Sequence, residues 1–178
     1  MLMELGAGAI FEFFDGKFTV QPQLGISFGN YQSGGGRAVI GDNIVPALSL
    51  GYYDGPLSLN LSLSLWKHLR KESTNQSYID LLEYSTNPSY TISKLFTVGL
   101  YFDHMFKRTI ASKDDGAVKE GDSRTYTAYM WIGPSVKFTA RSGAAVWFSA
   151  GLDLKDIQNN LPDKSVKDFY KLHLSFPI

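Results

Sequence analysis

Apolar and small polar residues alternate with period two through most of this chain, and the polar face carries few charges. Over 17–29, Phe18, Val20, Pro22, Leu24, Ile26 and Phe28 alternate with Thr19, Gln21, Gln23, Gly25, Ser27 and Gly29. Over 57–65, Leu57, Leu59, Leu61, Leu63 and Leu65 alternate with Ser58, Asn60, Ser62 and Ser64. A helix would scatter these leucines around its circumference, whereas a strand gathers them on one face. A soluble sheet usually points Lys and Glu at water. Here the polar face is Gly, Ser, Thr, Gln and Asn with a few charges of both signs, as though it lined an enclosed space. The pattern predicts an all-β fold, an antiparallel up-and-down transmembrane β-barrel, apolar outside and polar inside.

Nine such stretches fall at about 3–14, 17–29, 43–53, 57–65, 78–92, 95–106, 124–139, 144–154 and 166–178, in one domain over 1–178. Asp15-Gly16, Asp54-Gly55-Pro56, Ser93-Lys94 and Arg141-Ser142-Gly143 predict short turns after the odd strands. The connections after the even strands are long and polar, that at 108–123 being the longest and most charged. This alternation resembles bacterial outer-membrane β-barrel proteins, with short periplasmic turns and long external loops. Tyr170, Leu172, Leu174 and Phe176 alternate at the C-terminus and resemble the signal read by the barrel-assembly machinery; Pro177-Ile178 stands where that signal has a terminal aromatic.

The resemblance implies the bacterial outer membrane as location, and membrane lipids, lipopolysaccharide, the assembly machinery and possible envelope subunits as partners. It also implies an even strand number, so nine visible strands predict a tenth, missing at the N-terminus. The opening MLMELGAGAI lacks a signal peptide's basic region and cleavage site, so the export signal is expected to have been removed or to precede this segment.

Composition narrows the classes. Seventeen basic and 17 acidic residues balance, which argues against a nucleic-acid binder. The absence of cysteine excludes disulfides and thiolate metal sites. No run of 18 apolar residues exists, so no helix is predicted to span a membrane. Aromatics near the turns (Phe13, Phe14, Phe18, Tyr52, Tyr53, Tyr90, Phe96, Phe138, Phe176) and near the loops (Phe28, Tyr31, Trp66, Tyr78, Phe102, Phe106, Tyr126) predict two interfacial girdles. Pro22, Pro46, Pro88 and Pro134 all point outward at similar depth, where bulges or kinks are the usual accommodation and a packing seam is the alternative.

The predicted lumen-lining residues are Glu12, Gln21, Gln23, Asn60, Glu83, Asp103, Tyr129, Trp131, Lys137, Asp153, Lys171 and His173, joined on that face by Glu4, Tyr101, Trp147 and Phe169. Paired charges and bulky rings would fill a bore of about eight strands; the alternative is a narrow channel. His173 and Ser175 share a face and faintly resemble the His/Ser pair of outer-membrane lipid A deacylases, without a third group to complete a catalytic set. Asp103 and His104, placed near the external rim, cannot form a dyad, because adjacent strand residues face opposite ways. Gly34-Gly35-Gly36-Arg37 lacks the context of a phosphate loop. The loops mix both signs, including Lys67, Arg70, Lys71, Glu72, Lys107, Arg108, Lys113, Asp114, Asp115, Lys119 and Glu120, whose basic members could meet lipopolysaccharide phosphates. The expectation is a small non-enzymatic outer-membrane protein without cofactor, structural or part of an envelope assembly. A porin-like channel and a membrane-embedded lipid or peptide hydrolase are the alternatives, with a soluble lipocalin-like barrel behind them.

Overall fold

The computed structural model of the chain describes residues 3–29, 38–70, 77–111, 119–162 and 164–176. Tyr31, the glycines 34–36 with Arg37, Lys71, Glu72, Lys113, Asp114, Asp115 and the terminal Pro177-Ile178 lie outside the described residues. In chain order the elements are β1 (Met3–Gly8), β2 (Phe11–Phe13), β3 (Phe18–Gly29), β4 (Val39–Asp54), β5 (Leu57–His68), β6 (Ser77–Thr91), β7 (Phe96–Ala111), β8 (Ser123–Thr139), β9 (Ala145–Asp153), a four-residue helix α1 (Lys155–Gln158) and β10 (Lys167–Ser175). All strands join one antiparallel sheet, in sequence order from β3 to β10. β1 and β2 both pair with β3, so ten strands occupy nine positions, and the single strand predicted over 3–14 is broken at Ala9-Ile10.

The distribution of exposure is inverted relative to a water-soluble sheet. Leu57, Leu59, Leu61 and Leu63 are each 37–55% exposed, whereas Ser27, Asp42, Asn43 and Asp103 are fully buried. The sheet is curled with the polar face inward, because side chains of non-adjacent strands meet there. Trp66 Nε1 on β5 donates to Glu4 Oε2 on β1 at 3.1 Å, and Tyr129 OH on β8 donates to Glu83 Oε1 on β6 at 2.8 Å. Lys171 on β10 reaches Asp103 on β7 at 3.4 Å.

The prolines show how the curl is made. Proline offers no N–H to a ladder. Each of the four keeps register with one neighbour, in the pairs Pro22–Leu48, Pro46–Leu24, Pro88–Leu59 and Pro134–Leu100. On its other side the ladder is interrupted: between β1/β2 and β3 at Pro22, β4 and β5 at Pro46, β6 and β7 at Pro88, β8 and β9 at Pro134. The breaks therefore fall at every second seam and divide the sheet into the two-stranded ribbons β3–β4, β5–β6, β7–β8 and β9–β10. Glycine sits in the strand opposite at three of these seams. A Cβ on Gly8 would stand 2.5 Å from the Pro22 carbonyl oxygen, one on Gly99 2.6 Å from that of Pro88, and one on Gly151 2.2 Å from that of Ile132. An outward ring without a donor, set against a residue without a side chain, lets the backbones crowd and the sheet turn a corner. The prolines are thus local ladder breaks.

Several strands outrun their alternation. β4 starts at Val39 and β7 continues to Ala111, beyond the predicted 43–53 and 95–106. Asp103 therefore lies in mid-strand, away from the rim where the shorter prediction had put it. The sheet is not closed: among the described residues no ladder joins β1 to β10. Nine antiparallel positions leave the two edge strands running the same way, so they cannot form an antiparallel pair with each other. The fold is an all-β curled antiparallel sheet that is not closed into a barrel, where the expectation was a transmembrane barrel with nine visible strands and a tenth missing.

Candidate functional site

Residues two apart on a strand share a face, and this rule builds the interior. Tyr101 and Asp103 project together from β7, Tyr129 and Trp131 from β8, and Phe169 and Lys171 from β10. Tyr101 OH donates to Asp103 Oδ2 at 2.5 Å, and Lys171 Nζ donates to Tyr101 OH and lies 4.7 Å from its ring centroid. Trp131 stacks between Tyr129 and Phe169, with ring centroids 4.1 and 5.3 Å away and interplanar angles of 18° and 8°. With Glu83 held by Tyr129, these groups of β6, β7, β8 and β10 form a plug across the middle of the trough. Charges and rings expected on the inner face are here brought together.

Toward the short turns the trough opens. A cavity of about 460 Å³ lies beside the β4–β5 turn, lined by Tyr53, Asn60, Ser89, Thr97, Lys137 and Trp147 among others. Two smaller ones, of about 210 and 220 Å³, adjoin it through shared residues and reach Tyr101. The walls are mostly uncharged: Ser58–Ser89 and Ser62–Ser85 hydroxyl pairs at 2.7 Å, Thr91–Thr97 at 3.2 Å, and Tyr53 OH donating to Asn60 Oδ1 at 2.9 Å. Lys137 Nζ sits 5.1 Å from the Trp147 ring centroid. Packed charges and rings thus cross the middle of the interior, and the side toward the short turns is hollow, where a filled bore was the expectation.

The remaining predicted lining residues are dispersed. Gln21 lines the cavity next to Tyr101, while Gln23 and Glu12 are exposed near the β1/β2 edge. Asp153 Oδ1 accepts from the backbone N–H groups of Met130 and Lys155, which ties off the end of β9. His173 is exposed on β10 and lines one cavity without Ser175, and no hydrogen bond joins the two among the described residues. Tyr53 and Trp66, assigned from sequence to the girdles, point inward: strand parity overrides nearness to a strand end.

Asp103 and His104 do face opposite ways. His104 is buried on the convex face, with Nδ1 2.9 Å from Tyr84 OH and Nε2 3.0 Å from Thr127 Oγ1. Alternation with Tyr129 and Trp131 would turn Thr127 inward. A register shift after Met105 pairs Phe106 with Thr127 and turns that hydroxyl outward. A second polar knot sits at the long-loop end: Asp80 Oδ1 is 2.6 Å from His68 Nδ1, Asp80 Oδ2 is 2.6 Å from Lys67 Nζ, and Tyr78 stacks on His68 at 5.2 Å. Both knots depend on cross-strand register, which no local pattern in the sequence announces. Beyond β9, Asp156 accepts from Ser165 Oγ at 2.5 Å and lies 3.7 Å from Lys167 Nζ. The Ser165 hydroxyl, followed by nearby lysines, holds the Asp156 carboxyl below its ordinary range. At the β2–β3 turn, the hydrogen bond to Asp54 raises the Lys17 ammonium above its ordinary range.

No set of three or more His, Asp or Glu with metal-binding geometry occurs among the described residues. No curated protein and no solved structure matches the chain. The sequence does match, over residues 1–178, the model of a family of unknown function, DUF6733, and the chain belongs to that family.

Proposed function

We propose that this protein is a small membrane-embedded β-barrel of the bacterial outer-membrane type, non-enzymatic, serving as a scaffold or subunit of an envelope assembly. One observation carries the reading: a continuous apolar convex face and a polar concave face, an inversion that water does not stabilise but hydrocarbon does. Phe13–Phe18 and Phe96–Phe138 ring pairs lie toward the short-turn end of that face, where an interfacial girdle belongs. β7 and β8, at 16 and 17 residues, exceed the roughly 9–11 that a tilted strand needs to cross a bilayer. Their surplus, with Lys107 and Arg108, projects on the long-loop side, toward the phosphates of lipopolysaccharide in this reading.

The barrel is completed by a further strand at a tenth position, antiparallel to both β1 and β10. The ribbon pattern supports this, because β1/β2 alone has no unbroken partner, and a strand on its free edge restores five ribbons. The plug at Tyr101, Asp103, Trp131, Phe169 and Lys171 makes the bore non-conducting. Reconstitution in planar bilayers tests the reading. Insertion without steady conductance, together with a mobility shift between unheated and boiled samples on a detergent gel, is expected. Full solubility without detergent, or stepwise conductance at low voltage, overturns it in favour of a soluble sheet or a channel respectively.

A further inference from the structure

We infer that the hollow side of the trough is a binding site for a small hydroxylated carboxylate, with Lys137 as its counter-charge. The cavity beside the β4–β5 turn, about 460 Å³, falls within the roughly 300–1,000 Å³ of small-molecule sites. Among the described residues no Asp or Glu lines any of the three adjoining cavities, whereas Lys137, Lys171 and His173 do. Asp103 stands behind the Tyr101 and Lys171 walls, engaged by both, and lines none of them. Lys171 already has its anion, since Asp103 lies 3.4 Å away. Lys137 is half-buried and touches the Trp147 ring, with no carboxylate at ion-pairing distance among the described residues. A half-buried ammonium without a protein counter-ion is left to receive a carboxylate, which forms a charge-assisted hydrogen bond with it.

The neutral groups point to the same chemistry. Asn60 accepts from Tyr53 OH through Oδ1, and Asn87 accepts from Ser135 Oγ through Oδ1 at 3.4 Å. Among the described residues neither amide NH2 group meets an acceptor, so both are donors on the cavity walls, beside serine and threonine hydroxyls. Lysine and amide donors with adaptable hydroxyls match a ligand rich in oxygen acceptors. The site is independent of the membrane reading, since it needs only the concave face.

Glucuronate and glucose, equal in ring and hydroxyls but not in charge, are the probes. Each is titrated into the full chain in detergent while tryptophan emission is followed, and Trp147→Phe identifies the part of the signal that comes from Trp147. Glucuronate is expected to give a saturable change. Glucose, and glucuronate on Lys137→Met, should bind about ten-fold more weakly or worse, the loss of one charge-assisted hydrogen bond. Lys137→Arg should retain binding. Equal response to the two sugars, unchanged glucuronate binding by Lys137→Met, or a signal that never saturates overturns the assignment. Bilayer insertion is scored separately, so failure here leaves the membrane reading standing.

Discussion

Replacing Lys171 with methionine removes the cation that holds Asp103, whose side chain is 1% exposed, while that of Lys171 is 43% exposed. At 3.4 Å and an effective dielectric constant near 20, the pair is worth about 5 kcal/mol before desolvation. The half-exposed ammonium is screened by solvent, so less than half of that survives, and Lys171→Met should cost about 2 kcal/mol. The Tyr101 hydroxyl still donates to Asp103 and softens the loss. Adding Asp103→Asn to the variant removes the stranded charge and keeps an acceptor for Tyr101, so the double variant should recover at least half of the deficit. Guanidinium titration of detergent-folded protein reads this out through tryptophan emission, because Trp131 stacks on Phe169 two residues from Lys171. A Lys171→Met protein within about 0.5 kcal/mol of the parent, the range of ordinary surface substitutions, would refute the plug as a structural element. So would a double variant in which the two losses simply add.

Leu61→Arg should destabilise the bilayer-folded protein by roughly 2–4 kcal/mol in a lipid refolding titration, although Leu61 is 42% exposed and the same change in a water-facing sheet would be near neutral. Gly133→Ala places a Cβ 2.0 Å from the Ala150 carbonyl oxygen and 2.7 Å from Gly151 Cα, both backbone atoms, so a loss of about 1–3 kcal/mol by denaturant midpoint is expected at the β8–β9 corner. The lowered pKa of Asp156 means that its contribution is complete above the unfolded carboxylate range near pH 4 and is lost as pH falls through the lower folded value. Hydrogen exchange in 154–166 should therefore accelerate on acidification below that range, and Asp156→Asn should show the faster exchange already at neutral pH.

The strands and their faces were legible because the alternation is strong where the convex face is continuous, as along β3 and β5. Strand ends were not: Val39-Ile40 rejoins the β3–β4 ladder beyond an irregularity at Gly41-Asp42, and Lys107–Ala111 stays paired without apolar alternation. Parity fails at irregularities, so the shift after Met105 puts Thr127 on the side opposite Tyr129 and Trp131, with which it alternates in phase. The lining charges were legible as a set on one face, but their partners were not. That Lys171 belongs to Asp103 while Lys137 stands over Trp147 follows from curl and register, which arise between strands that are distant in sequence. The prolines were visible as anomalies at a common depth; their placement at alternate seams emerges only from the ladders.

The chain has no cysteine, so single-cysteine spin labels can be placed along β5 without background. Scanning 57–65 in reconstituted vesicles compares collision with oxygen, which partitions into hydrocarbon, against collision with a water-soluble nickel chelate. The account predicts labels at Leu57, Leu59, Leu61, Leu63 and Leu65 that favour oxygen, and labels at Ser58, Asn60, Ser62 and Ser64 that do not, with period two throughout. Leucine positions that collide freely with the nickel chelate would place that face in water and contradict it.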